Sequence, residues 1–303
     1  MRVLITGATG LVGTELVSLL LKNDIHINYL TTSKSKIQSK QEYQGYYWNP
    51  ASGVIDDNCI NDVDAIIHLA GASVAKRWTK AYRQEIVESR VLSTKILYDL
   101  LKKKENTVTH FIAASAIGIY PDSLDKVYSE SDTEVDNSFL GRVVEKWEQA
   151  VGEITTLGIK VAKMRTGIVL SGKGGALIEM ARPVKYGLGA ALGSGKQMQS
   201  WIHIHDLVNM YMLVLEKELN GVYNAVAPYP VTNNELMKTI ARVLDTPYFL
   251  PNVPKFMLQL ILGKMHIILL SSQNVSAKKV ISEGYQFEYL SLEKAVRQAL
   301  KKD

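Results

Sequence analysis

The sequence predicts an α/β protein: a Rossmann-type, doubly wound parallel sheet with a smaller, mostly helical C-terminal lobe. Three observations carry that expectation. The apolar run Val3 to Ile5 stands just before Gly7, Gly10 and Gly13, and an apolar-periodic stretch from Leu11 to Leu21 follows. Strand-like segments then alternate with helical ones as far as Met164. Beyond Leu170 the alternation stops and glycines crowd the chain. The expected division is a dinucleotide-binding region over 1–170, to which later segments are free to return, and a substrate lobe over 171–303.

The first strand and its glycines fix the expected site. A strand, a glycine turn and a helix leave backbone N–H groups at a helix N-terminus, where a pyrophosphate can sit. Gly7 permits the turn, Gly10 the approach of the phosphates and Gly13 the packing of helix on strand. Ile25–Leu30 reads as the second strand, ending in Thr31-Thr32-Ser33-Lys34. In a dinucleotide fold that tip faces the adenosine ribose. It carries no carboxylate to hold a free 2′-hydroxyl, but three hydroxyls and a lysine that suit a 2′-phosphate. NADP(H) is therefore expected in preference to NAD(H).

Gln44–Trp48 reads as a third strand and Asp64–Leu69 as a fourth, the latter followed by Ala70-Gly71-Ala72, small enough to pass beneath a cofactor. A long helix is expected over Lys80–Lys104, a fifth strand over Thr107–Ala114, a helix over Phe139–Thr156 and a sixth strand over Ile159–Met164. The irregular glycines from Gly172 to Gly195 are expected to shape loops over a pocket. Asp206 is a candidate N-cap for a helix to Glu216, Gly221–Ala225 a short strand, and Thr232 the cap of a helix to Leu244.

Composition excludes several function classes. The chain has 303 residues, of which 47% are apolar and 21% charged, enough for a large core without metal or disulfide. Cys59 is the only cysteine, so no internal disulfide forms, and a reducing cytoplasm is the expected compartment. The net charge of +5 sits in local runs such as Lys102-Lys103-Lys104, without the basic helix or aromatic platform of a nucleic-acid binder. The first strand begins at once, which leaves no room for a signal peptide. Phe256–Leu270 is too short and too polar to span a bilayer and reads as a partly exposed lobe helix. His203 and His205 share a strand face but have no third ligand spaced with them, so no metal is expected. A histidine lining the substrate pocket is the expected role.

Taken together, GATGLVG at 7–13, HLAGASV at 68–74 and AASAIGIY at 113–120 resemble the extended short-chain dehydrogenase/reductases. IVESRVLST at 86–94, KWE at 146–148, MRTGIVLSGKGGAL at 164–177, GLGAALGSGKQMQSWIHIHDLV at 187–208 and YNAVAPYPVTNNEL at 223–236 narrow this. They are similar to the atypical "epimerase family" group, also labelled NAD-dependent epimerase/dehydratase-like or cell-division-inhibitor-like. The resemblance covers essentially the whole chain. It implies cofactor contacts at Gly7, Thr9, Gly10, Leu11, Val12 and Gly13, at Thr31 and Thr32, and at Leu69, Ala70 and Gly71. It further implies Glu85, Arg90 and Val169. Members of the group carry an arginine near Thr32; here it is missing, and Lys34 is the candidate substitute.

The catalytic pattern departs further. Ordinary members use a Ser, a Tyr and a Lys, the last two spaced YxxxK after the fifth strand. Aligned on Trp147-Glu148, those two positions hold Leu140 and Val144, which transfer no proton. The YxxxK at Tyr98 and Lys102 precedes the serine and reads as chance. Ser115 remains as a candidate to hydrogen-bond a substrate oxygen, and Tyr120 as a candidate acid. Two functions stay open: an NADP-dependent oxidoreductase or sugar-nucleotide-type epimerase/dehydratase acting on a small polar substrate, and a silent NADP(H)-binding sensor that meets a protein partner or a second copy.

Overall fold

Seven parallel strands form the body of the protein, for which the computed structural model describes residues 1–301. They are β1 (Arg2–Thr6), β2 (His26–Thr31), β3 (Tyr43–Asn49), β4 (Ala65–His68), β5 (His110–Ala116), β6 (Lys160–Thr166) and β7 (Gly221–Ala225). Their spatial order is β7-β6-β5-β4-β1-β2-β3. The direction of winding reverses between β1 and β4, and an open α/β sheet presents its ligand crevice at the carboxyl ends of such a pair. Two short antiparallel pieces, Ser39–Lys40 and Val54–Ile55, close the β3 edge.

Both faces of the sheet are covered, which is why β1 reads as an unbroken apolar run. On one face Val3 and Ile5 meet α1 (Leu11–Lys22); on the other Leu4 meets α2 (Lys80–Lys103) and α3 (Phe139–Gly152) through Leu97, Leu100, Trp147 and Val151. Leu16 and Leu20, one turn apart on α1, are fully buried, each contributing about 2 kcal/mol of apolar transfer. Thr79 caps α2 and Ser138 caps α3 through their side-chain oxygens.

The lobe is built from α4 (Ala176–Val184), α6 (Asn233–Val243) and α10 (Leu292–Leu300), packed round Trp201. Between α4 and α6 the chain returns to the sheet: α5 (Ile204–Glu216) packs on α1, and β7 extends the sheet beside β6. Residue 170 is therefore not a clean cut between two bodies. The lobe also carries α7 (Lys255–Leu262), α8 (His266–Leu270) and α9 (Lys278–Ser282).

Several boundaries differ from expectation for local reasons. The single helix expected over 256–270 is broken at Gly263, whose φ of +57° leaves the helical region, so α7 and α8 are separate. The helix expected to reach Thr156 ends at Gly152 and tightens into a 3₁₀ turn, Glu153–Leu157. Strand β5 runs to Ala116, so Ser115 lies inside the strand. Asp206 does not cap α5. The His203 ring does, accepting from the His205 N–H at 3.2 Å, whereas the buried Asp206 carboxylate accepts from Tyr285, Glu288 and Tyr289. It thereby ties the C-terminal segment to α5.

Candidate functional site

The glycine turn joins β1 to α1 at the switch point. Gly7 has a φ of +74°, and its Cα lies against the Leu69–Ala70 backbone. A Cβ at Gly13 would stand 2.1 Å from the Gly7 carbonyl oxygen, so no side chain fits. No side chain caps α1 at Gly10, and its first-turn amides remain available to an anion. Opposite them, Thr6 Oγ1 accepts from the Leu69 and Ala70 amides at 3.1 and 3.0 Å.

Buried polar groups beneath support that floor. Having accepted twice, the Thr6 hydroxyl donates its own proton to His68 Nδ1 at 2.7 Å. Ser93 and Thr94 both donate to the Arg90 carbonyl, and their oxygens accept from His68 Nε2 at 3.2 and 3.1 Å. One neutral tautomer satisfies every member. Burial, with Arg90 nearby, pushes the His68 pKa down to about 3. Arg90 donates to the Ala72 and Ile86 carbonyls, lies over the Trp147 ring and backs Gly71; burial lowers its pKa to about 10. It makes no ion pair with Glu85 or Glu88 among the described residues.

A cavity of about 580 Å³ opens along this edge. Of the residues implied by resemblance, Gly7, Thr9, Gly10, Thr31, Thr32, Ala70, Gly71 and Glu85 line it. The others stand behind the wall. Gly13 packs beneath the turn, and Leu69 is the backbone against Gly7. Val12 is packed against the α1-side core. Leu11 lies beside Gly174 and Gly175, and Lys173 pairs with Glu15, so the loop after residue 171 covers the start of α1. Val169 sits in a short strand, Ile168–Leu170, paired with Trp201–His203. Lys34 is not on the cavity; its Nζ rests 5.1 Å from the centre of the Tyr47 ring. Lys36 lines the cavity instead, with Thr31, Thr32 and Ser33. Tyr29 sets that loop, donating to the Lys36 carbonyl and accepting from the Gln38 amide, each at 2.7 Å. A glycine cradle and free amides fit the pyrophosphate of a dinucleotide, and the tip beside them carries hydroxyls and a lysine.

The other half of the sheet edge is built differently. Ser115 donates to Glu148 Oε1 at 2.5 Å, and Arg165 grips the same carboxylate through Nε and Nη2, both at 2.9 Å. Arg165 Nη1 donates to the Tyr120 hydroxyl at 2.9 Å, which in turn faces Asn224 Oδ1 at 2.8 Å and the Ser129 carbonyl at 3.0 Å. Burial alone would raise the Glu148 carboxyl, but the Arg165 guanidinium holds it below the usual carboxylate range. Burial raises the Tyr120 hydroxyl despite Arg165. Tyr120 is fully buried; its hydroxyl accepts from Arg165 and its one proton is shared between Asn224 Oδ1 and the Ser129 carbonyl, so the acid expected there is a structural anchor. Leu140, Val144 and Glu148 recur at helical spacing on α3, so a carboxylate stands one turn beyond the position usually held by lysine. Neither Glu148 nor Arg165 stands out in the sequence as a site residue; their only signal is membership of the KWE and MRTG segments.

His203 also departs from expectation. It is fully buried, 3.7 Å from the Tyr289 ring, and donates to Gln298 from Nε2 at 2.9 Å. Burial, with His205 adjacent, lowers its pKa to about 4. It holds the lobe to α5 and lines no substrate pocket. Among the described residues no cluster of histidine, cysteine and carboxylate could hold a metal. Gly189, Gly193 and Gly195 pack against Tyr248, Leu270 and Asn252 of the lobe, away from the dinucleotide cavity, and Gly187 faces open space.

Comparison with known proteins agrees with this architecture. A family model described as the NAD dependent epimerase/dehydratase family matches residues 3–225, and a domain of unknown function, DUF1731, matches 253–299. An epimerase family protein of Staphylococcus aureus is 37% identical over 300 residues, covering 99% of both chains. One of Staphylococcus saprophyticus is 37% identical over 294 residues, covering 97% of both. The crystal structure of human epimerase family protein SDR39U1 with NADPH superposes with a TM-score of 0.86 at 30% identity, covering 99% of each chain.

Proposed function

The chain belongs to the NAD-dependent epimerase/dehydratase family, and from that premise we propose that it binds NADP(H) in preference to NAD(H) and exchanges hydride with a small polar substrate bearing a hydroxyl group. The observation that carries this reading is the tip of the 580 Å³ cavity, where Thr31, Thr32, Ser33 and Lys36 converge. Glu85 and Glu88 lie on the α2 wall. The NADPH in the human neighbour supports the same preference.

When bound, the nicotinamide supplies the hydride donor or acceptor. This chain supplies the rest. Gly7, Gly10 and the α1 amides hold the pyrophosphate, and Lys36 with the Thr32 and Ser33 hydroxyls holds the 2′-phosphate. The Ser115 hydroxyl points its hydrogen at Glu148, so what it offers a substrate is a lone pair. It therefore selects an O–H or N–H donor over a bare carbonyl. A proton leaving the substrate can pass through Ser115 to Glu148, but a carboxylate held ionised by Arg165 is a weak base. Turnover is expected to be slow. The lone, buried Cys59 fits a reducing cytoplasm.

Leu140, Val144 and the occupied Tyr120 hydroxyl favour a second reading: an NADP(H)-binding sensor without turnover that signals to a protein partner or a second copy. Fluorescence titration with NADPH and NADH tests the binding claim, and equal affinities would overturn the NADP preference. Oxidation and reduction across an alcohol and carbonyl panel separates the two readings. Activity that survives both Ser115→Ala and Glu148→Gln would refute the proton path through those two side chains.

A further inference from the structure

The lobe carries a helix that the fold leaves uncovered. Six of the eight residues of α7 are apolar, yet only Leu258 is buried. Leu260 is 84% exposed, Ile261 68% and Phe256 67%. Phe249, Tyr186 and Leu188, on the loops flanking the lobe, are also exposed. These loops are joined to one another: Leu192 bridges Val253, Asn252 donates to the Gly193 carbonyl, and Gln197 donates to the Leu269 carbonyl. Soluble chains rarely expose a joined apolar surface beyond a few hundred Å², or about the area of several side chains, without a partner.

Charge says which partner. No aspartate or glutamate occurs between Glu179 and Asp206, or between Asp245 and Glu283, the two stretches that build this end of the lobe. Lys185, Lys196, Lys255 and Lys264 are exposed there, and none forms an ion pair among the described residues. An exposed apolar helix with lysines at its ends and no carboxylate within its own stretch of chain has the chemistry of an interfacial anchor; the carboxylates that border this end of the lobe, Glu235 and Asp245, belong to α6 and the turn after it. A second copy meeting this face would set like charges against each other, whereas anionic headgroups would neutralise them. No described helix is long and apolar enough to cross a membrane, and α7 at eight residues can only lie on one.

We propose that this end of the lobe, built on α7 and the loops beside it, docks on an anionic lipid surface. The helix inserts Phe256, Leu260 and Ile261 at the headgroup boundary while Lys255 and Lys264 face lipid phosphates. The segment continues through Met265 into α8, and Met265, Ile267 and Ile268 pack in one apolar cluster with Trp78 and Phe139.

Flotation of the full chain with vesicles tests this. With phosphatidylcholine containing about a quarter phosphatidylglycerol the protein should float, and with phosphatidylcholine alone it should stay behind; about 0.5 M salt should cut binding about tenfold. The pairs Leu260→Ser with Ile261→Ser, and Lys255→Glu with Lys264→Glu, should each weaken binding about tenfold while NADPH affinity stays unchanged. The lipid and salt arms use the unaltered chain, so a variant that misfolds does not rescue the proposal. Failure to float with either vesicle overturns it, as does equal, salt-independent binding to both. A concentration-dependent dimer in light scattering that the Leu260→Ser, Ile261→Ser pair dissociates would assign the face to a second copy instead.

Discussion

The two halves of one sheet edge solve opposite problems. Around β1, β2 and β4 the backbone forms the binding surface: glycines remove side chains, amides stay unpaired, and a neutral His68 network holds the floor in place. Around β5 and β6 side chains fill the edge, and the strong donors and acceptors satisfy each other through Ser115, Glu148, Arg165 and Tyr120. The first half is preorganised to receive charge from outside. The second has neutralised its own. That contrast, an open backbone cradle beside a cluster already satisfied within itself, is what the proposed slow turnover rests on.

The widest separation between the halves should come from Arg165→Met. It leaves the Glu148 carboxylate buried and unpaired, at a cost of about 3–5 kcal/mol in denaturant unfolding; adding Glu148→Met should recover most of it. A loss below about 1 kcal/mol would break the claim that an ion pair holds this half together.

Acid should find the first half next. The folded pKa of His68 lies below its unfolded value, near 6.5. Its contribution is therefore present at neutral pH and lost as pH falls from about 6.5 towards 3. Stability should fall by about 2 kcal/mol by about pH 5, and His68→Gln should flatten that part of the profile. His203, lowered to about 4, acts in the same direction from the lobe, so a profile unchanged by His68→Gln would shift the acid sensitivity there.

Smaller effects sharpen the picture of the cavity tip. Lys36→Ala should weaken NADPH binding about tenfold and leave NADH untouched, since only NADPH carries the 2′-phosphate. Lys34→Ala should change neither by more than about twofold, because its ammonium rests on Tyr47. The reverse result in paired titrations would restore Lys34 to the site. Tyr120→Phe should cost only about 1 kcal/mol in thermal unfolding, the worth of its hydrogen bonds, with NADPH affinity unchanged.

Much of the first half was legible in the sequence, because its signals are local. A strand, three glycines and a helix start lie within thirteen residues, and Thr31 and Thr32 stand at the end of the next strand. The alternation also placed the strands, with ends off by one to three residues: β5 starts at His110 rather than Thr107 and continues to Ala116. The second half was hidden. Leu140 and Val144 announced what was missing, but Glu148 takes its meaning from Arg165 on β6 and Ser115 on β5. Tyr120 lay close to Ser115 in sequence and suggested an acid, yet its hydroxyl is claimed by Asn224, more than a hundred residues away. Lys34 and Lys36 differ only in which side of a turn they leave, and Tyr29 decides that from within the sheet.

Residue order alone determined the doubly wound sheet and the glycine cradle, since periodicity and backbone freedom are properties of neighbouring residues. Tertiary structure decided which charges are buried together, which lysine reaches the cavity, where α7 is left uncovered, and that residues 204–225 rejoin the sheet. Each of those depends on desolvation and contact between segments far apart along the chain, and no local pattern encodes such distances.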